Sequence, residues 1–179
     1  MTGLKAAPAV LADANILVKD VVSNVLYDLH SSGQIELHWT PEIEAEYIRH
    51  RARLRAQASA RPLHDGDLVW ASDRIEVIKK RIVKQSAPPG WVEAETLAGM
   101  TESKEVEALL GLPDKDDIHV ALGAAYLAKQ LGRAIVLTTE NLADLPEGLL
   151  LPHKVAVMHP GDLSTFSMGA TPTPWRNPS

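Results

Sequence analysis

Four acidic side chains stand where separate segments could bring them to one divalent cation. Asp13 follows the apolar run Ala9–Ala12, and Glu46 lies about one and a half turns into a basic helix. Asp117 opens an alanine-rich helix, and Asp144 follows the apolar run Ala134–Leu137. Mg²⁺ and Mn²⁺ prefer carboxylate and water oxygens, so three or four acids from separate segments can converge on one octahedral ion. Such an ion calls for an anionic substrate, whose charge it offsets while lowering the pKa of a bound water. Each acid also has an ordinary reading. Asp13 can form a turn or cap a helix, Glu46 can be solvated or paired with Arg49 or His50, and Asp114 and Asp116 can cap the helix that follows them. His119, two residues after Asp117, cannot share its helix face and reads as a packing or capping residue. The chain contains no cysteine, which removes thiolate nucleophiles and sulfur-ligated zinc or iron–sulfur sites.

The elements that must hold these groups follow from the hydrophobic pattern. At 179 residues, with 45% hydrophobic and 23% charged residues, the chain fits one domain with a packed core. Ala9–Ala12 reads as a buried strand ending at Asp13, and Val21–Leu29 as a helix stopped by Gly33. Ile35–Trp39 reads as a second strand. Thr40-Pro41-Glu42 reads as an N-cap, a first-turn proline and an early acid opening a second helix. A helix over Asp65–Lys84 is broken at Ala87–Gly90, and Thr101–Leu110 reads as a short acidic helix. Asp116–Leu131 is a helix ended by Gly132, Ala134–Leu137 a buried strand, and Lys154–Met158 a last strand. Residues 1–166 make the domain and 167–179 a tail rich in proline and small polar residues. Strands alternating with helices predict a mostly parallel sheet in a three-layer α/β/α sandwich, with functional groups beyond the carboxyl ends of the strands.

Four strings in order, Val10-Leu11-Ala12-Asp13-Ala14-Asn15, Trp39–Glu46, Asp114-Lys115-Asp116-Asp117-Ile118-His119-Val120-Ala121 and Thr138–Pro146, resemble the PIN-domain family. The resemblance is closest to its bacterial toxin-type, predicted nucleic-acid-binding branch and covers roughly Leu11 to Phe166. It implies a Mg²⁺- or Mn²⁺-dependent endoribonuclease, the toxin half of a toxin–antitoxin pair acting on RNA, with an antitoxin partner and a homodimer. Matched by position, Asp13, Glu46 and Asp117 stand for the family's acidic triad, and Asn141 to Asp144 for its variable fourth site. Asp13, Glu46, Asp117 and Asp144 are then the metal ligands, while Glu46 orients or deprotonates a water and Asn141 positions water or phosphate, with Thr139 assisting. Two positions depart from the pattern: Asn141 stands where other branches carry aspartate, and Leu145 replaces a frequent phenylalanine.

The net charge of −5 excludes a passive polycation, so a nucleic acid must be met locally. Arg49, Arg51, Arg53 and Arg55 have the composition to follow a phosphate backbone, and equally to form a solvated or antitoxin-binding face. Aromatic residues at 4% do not support a stacking platform. No apolar stretch reaches the ~18 residues of a membrane span, and the N-terminus lacks a secretory pattern, so a cytoplasmic location is expected. A haloacid-dehalogenase-like phosphatase needs an aspartate where Asn15 stands, and a phosphoacceptor receiver needs paired early acids; neither pattern is present. The remaining alternative is a PIN-fold binding module of weak activity.

Overall fold

The computed structural model describes residues 6–85, 90–91, 109 and 111–163. Five parallel strands form its sheet: β1 (Ala9–Ala12), β2 (Glu36–Trp39), the two-residue β3 (Gly90–Trp91), β4 (Ile135–Thr138) and β5 (Val155–Met158). Their spatial order is β3-β2-β1-β4-β5. The register is fixed by Val10 opposite Leu37 on one side and opposite Val136 on the other. β1 and β4 are buried throughout, as near-continuous apolar strands covered on both faces must be. Helices flank the sheet, giving the expected three-layer α/β/α sandwich.

The strand order places a topological switch point at β1. From it the chain crosses to β2 on one side, whereas β4 lines the other. A crevice opens outside the carboxyl ends of strands at such a point, and Asp13 and the segment after Thr138 border it.

The helix after β1 is broken in two. Asp13 caps a single turn, α1 (Ala14–Leu17), by accepting from the Ala14 amide at 2.6 Å. The chain then restarts at Lys19 as α2 (Asp20–Ser31). The apolar spacing from Val21 to Leu29 reports α2 alone, because a four-residue turn is too short to show a period. Gly33, at φ +72°, takes the left-handed conformation after α2 that glycine adopts without steric cost.

α3 (Pro41–Ala58) starts where its residues dictate. The Thr40 hydroxyl accepts from the Ile43 amide at 3.2 Å and Pro41 fills the first turn. Ile43, Tyr47, Ala52 and Ala56 form its buried stripe. α4 (Asp65–Gln85) packs along α3, and α5 (Ile118–Leu131) ends at Gly132 in the left-handed region. A short α6 (Glu147–Leu150) precedes β5. α5 approaches the start of α3 closely at Gly123, where a Cβ would lie 2.6 Å from the Thr40 Cγ2. That approach sets the helix beginning after Asp117 against the helix bearing Glu46.

Observed element ends agree with the sequence reading to within a residue or two. Of the break expected at Ala87–Gly90, Gly90 opens β3, while residues 87–89, the acidic helix expected over 101–110 except Leu109, the domain end near 166 and the tail 167–179 lie outside the described residues. Leu145 is fully buried, in keeping with a packing role. Among the described residues no helix is long and apolar enough to cross a membrane.

Candidate metal centre

Asp13 leaves β1 as its polar end, 3% exposed. Its Oδ2 accepts from the Thr139 hydroxyl at 2.8 Å and from Asn15 Nδ2 at 2.7 Å. Asn15 Nδ2 also reaches Thr139 Oγ1 at 3.2 Å, and that oxygen accepts from the Asn141 amide at 3.0 Å. The carboxyl ends of β1 and β4 are thereby tied into one polar floor. Burial pushes the Asp13 carboxyl above its ordinary value, the Thr139 hydrogen bond opposes the rise, and the charge of Glu46 adds to it.

Asp117 sits at the N-cap position of α5 without making a side-chain cap bond. Its carboxylate is therefore left facing other acids, although Asn141 Nδ2 donates to its Oδ2 at 3.3 Å. Its pKa is pushed up to about 6, first by burial and then by the charges of Asp13, Asp114, Glu46 and Asp144. Carboxylates held this close repel one another unless a cation or proton intervenes. Asp114, Asp117 and Asp144 offer oxygens that all lie within 4.8 Å of one another. With metal–oxygen bonds of about 2.0–2.6 Å, two ligands facing each other across one ion are about 4–5 Å apart, so this trio fits a common ion. The donors are all hard oxygens, suited to Mg²⁺, Mn²⁺ or Ca²⁺ rather than to a soft metal.

Of the expected ligands, the structure brings Asp117 and Asp144 together and adds Asp114. Asp114 also accepts from the Asp116 amide at 2.9 Å, so its capping role and its place in the cluster coexist. The i, i+3 spacing of Asp114 and Asp117 was the signal for it. Asp13 and Glu46 stand outside this closest trio but within electrostatic reach of Asp117.

Glu46 pairs with neither Arg49 nor His50; its Oε2 lies 3.2 Å from His119 Nε2. The His119 imidazole holds the Glu46 carboxyl below its ordinary value, against an opposing push from burial. His119 Nδ1 donates to the Asp116 carbonyl at 2.7 Å. Burial pulls the imidazole down, but Glu46, the Asp116 carbonyl and Asp13 together raise its pKa. His119 thus holds the loop carbonyl just before α5 rather than capping the helix, and its other nitrogen belongs to the site. Nothing in its own helix reveals this, because the partner comes from α3.

The four arginines of α3 separate into two pairs. Arg51 is pinned, with Nη1 donating to the Val18 carbonyl at 3.0 Å and Nη2 pairing with Asp20. Arg55 lies 3.5 Å from Asp67 and 4.7 Å over the Trp70 ring. Arg49 and Arg53 are exposed and line a concave surface with Glu46. At the rim, Lys19 pairs with Glu140.

Chemically, the arrangement can hold a hard divalent cation at the mouth of a parallel sheet, with a carboxylate–imidazole pair beside it. No family model, curated protein or solved structure matches the chain.

Proposed function

We propose that the chain is a divalent-cation-dependent endoribonuclease of PIN type, the toxin half of a toxin–antitoxin pair. The observation that carries this reading is the meeting of carboxylates from separate segments around Asp117, at the switch point of a parallel sheet. Asp114, Asp117 and Asp144 would hold the ion, with Asp13 and Glu46 within its field. A bound Mg²⁺ or Mn²⁺ supplies an activated water and charge stabilisation at the phosphoryl group. The chain's own groups do the rest. Thr139 and Asn15 fix the Asp13 carboxylate in one orientation. Asn141, neutral and held by Thr139, positions water or a phosphate oxygen. Glu46, kept ionised by the His119 imidazole, can orient the attacking water or accept its proton. The antitoxin and the homodimer belong to the same proposal and rest on the resemblance of the four strings.

The test is cleavage of a labelled single-stranded RNA with Mn²⁺ or with chelator, alongside calorimetric titration of Mn²⁺ into the parent and Asp117→Asn proteins. Chelator-sensitive cleavage and a Mn²⁺ heat lost in the variant are expected. Cleavage indifferent to chelator would overturn the reading. A binding module of weak activity is favoured by one feature, the uncharged Asn141 donating to Asp117; Mn²⁺ binding without cleavage would select it.

A further inference from the structure

Residues Glu46, Arg49, His50, Arg53, Leu54 and Gln57 recur at the three- and four-residue steps that share one helix face. They line a concavity of about 300 Å³ on α3. The strip spans twelve residues, about 16 Å at the helical rise, and begins at the acid centre, because Glu46 is its first member. Arg49 and His50 both act on the Glu46 charge. Among the described residues neither Arg49 nor Arg53 has a carboxylate within ion-pair distance, whereas Arg51, Arg55, Arg61 and Arg74 are each paired with one. An exposed cation with no carboxylate in contact, placed beside an acidic centre, is suited to a polyanion whose reacting phosphate sits at that centre. Leu54, 40% exposed, adds an apolar surface for a sugar or base beside the charges.

We propose that this face of α3 is the track of a single-stranded RNA, with Arg49 and Arg53 on successive backbone phosphates and the scissile phosphate at the Asp117 end. One row of cations on one helix matches one backbone; a duplex would present a second backbone with no cations to meet it. The proposal rests on the nuclease reading above and refines it, since Arg51 and Arg55 support the fold rather than the substrate.

Binding of a short mixed-sequence single-stranded RNA, measured by fluorescence anisotropy in chelator over a range of salt, tests the track apart from chemistry. Each backbone contact contributes about 0.7 to the slope of log affinity against log salt. Arg49→Gln/Arg53→Gln should lower the slope by about 1.4 and weaken binding roughly tenfold to thirtyfold at physiological ionic strength. Arg55→Gln, checked for folding by circular dichroism, should leave the slope at the parent value. An unchanged slope in the double variant, a loss confined to Arg55→Gln, or no RNA binding by the parent overturns the track. So does an oligoglutamate peptide that binds the parent more tightly than RNA and is released by the double substitution, because the face would then be a protein interface. Cleavage with Mn²⁺ is read separately. A parent that binds with the predicted slope but never cleaves keeps the track and loses the nuclease. A double variant that binds and cleaves like the parent loses the track and keeps the nuclease.

Discussion

Two groups of acids in this molecule meet opposite surroundings. On the α3–α4 side Asp67, 1% exposed, is gripped by Arg61 through paired contacts of 2.6 and 2.7 Å and accepts from the His64 amide at 3.1 Å. The Arg61 guanidinium holds its carboxyl far below the ordinary range. Asp20 behaves alike: burial pushes it up, but Arg74 and Arg51 bring it down. Over the carboxyl ends of β1 and β4, Asp13 and Asp117 are raised instead, first by burial and then by the charge of neighbouring carboxylates, which for Asp13 the Thr139 hydrogen bond opposes. Acids with arginine partners staple helices together. Acids with acid partners repel one another, and a cation held among them would relieve that repulsion.

The largest effect expected from this contrast is on catalysis. Asp117→Asn should lower RNA cleavage by about a hundredfold or more, by analogy with losses from supporting shells alone, while Asp67→Asn should leave the rate per folded molecule within a few-fold of the parent. Equal losses in the two variants would erase the distinction. Next comes the proton's competition with the cation. Ligand carboxylates must be ionised to bind, so with Asp117 titrating near 6, Mn²⁺ affinity should fall roughly tenfold between pH 7.5 and pH 5 from that group alone; calorimetry at the two pH values measures it.

A third change acts on the geometry that joins the acid centre to α3. Gly123→Ala drives a methyl to within 2.6 Å of the Thr40 Cγ2. Relief requires moving the fully buried threonine whose hydroxyl caps α3. Overpacking of this kind costs about 1–3 kcal/mol, read as a lower midpoint in urea, and cleavage should fall with it as Glu46 and Asp117 lose register. A variant as stable and active as the parent would show that the two helices are not so rigidly coupled.

The smallest effect is on stability in chelator. The folded state binds the extra proton of Asp117 between the ordinary carboxylate value and about 6, so this contribution is present at low pH and lost as pH rises through about 6. Asp67 has the opposite sign: its contribution is present above the ordinary carboxylate pKa and lost as pH falls below it. The melting temperature should therefore peak near pH 5. Asp117→Asn should raise it by a few degrees at pH 7.5 and leave it unchanged at pH 4, and Asp67→Asn should lower it at both. A parent most stable above pH 7 in chelator would contradict the assignment of repulsion to the acid centre.

Much of this arrangement was legible before any coordinates. The apolar run Ala9–Ala12 ending at Asp13, the Thr40-Pro41 start of α3 and the Gly132 stop of α5 are local signals, set by burial, capping and backbone sterics within a few residues. They placed Asp13, Glu46 and Asp117 on the right elements. Asp144 was expected in the loop after β4 and is found there. His119 read as a packing or capping residue outside the site, because helix periodicity describes one helix and its partner Glu46 comes from another. Asp114 read as a cap and proved to be both cap and neighbour of Asp117 and Asp144. The four arginines of α3 are alike in sequence, and only the packing of α2 and α4 against α3 takes Arg51 and Arg55 out of service as free cations.

The amino-acid order alone determined the alternation of strands and helices, the absence of thiol chemistry and the supply of hard oxygen donors, because these depend on side-chain type and on neighbours a few residues away. The tertiary structure decided which acids touch, which are neutralised by arginine and which face of α3 remains cationic. Those outcomes depend on distances between groups a hundred residues apart, such as Asp13 and Thr139, and electrostatic interaction follows distance in space rather than separation along the chain.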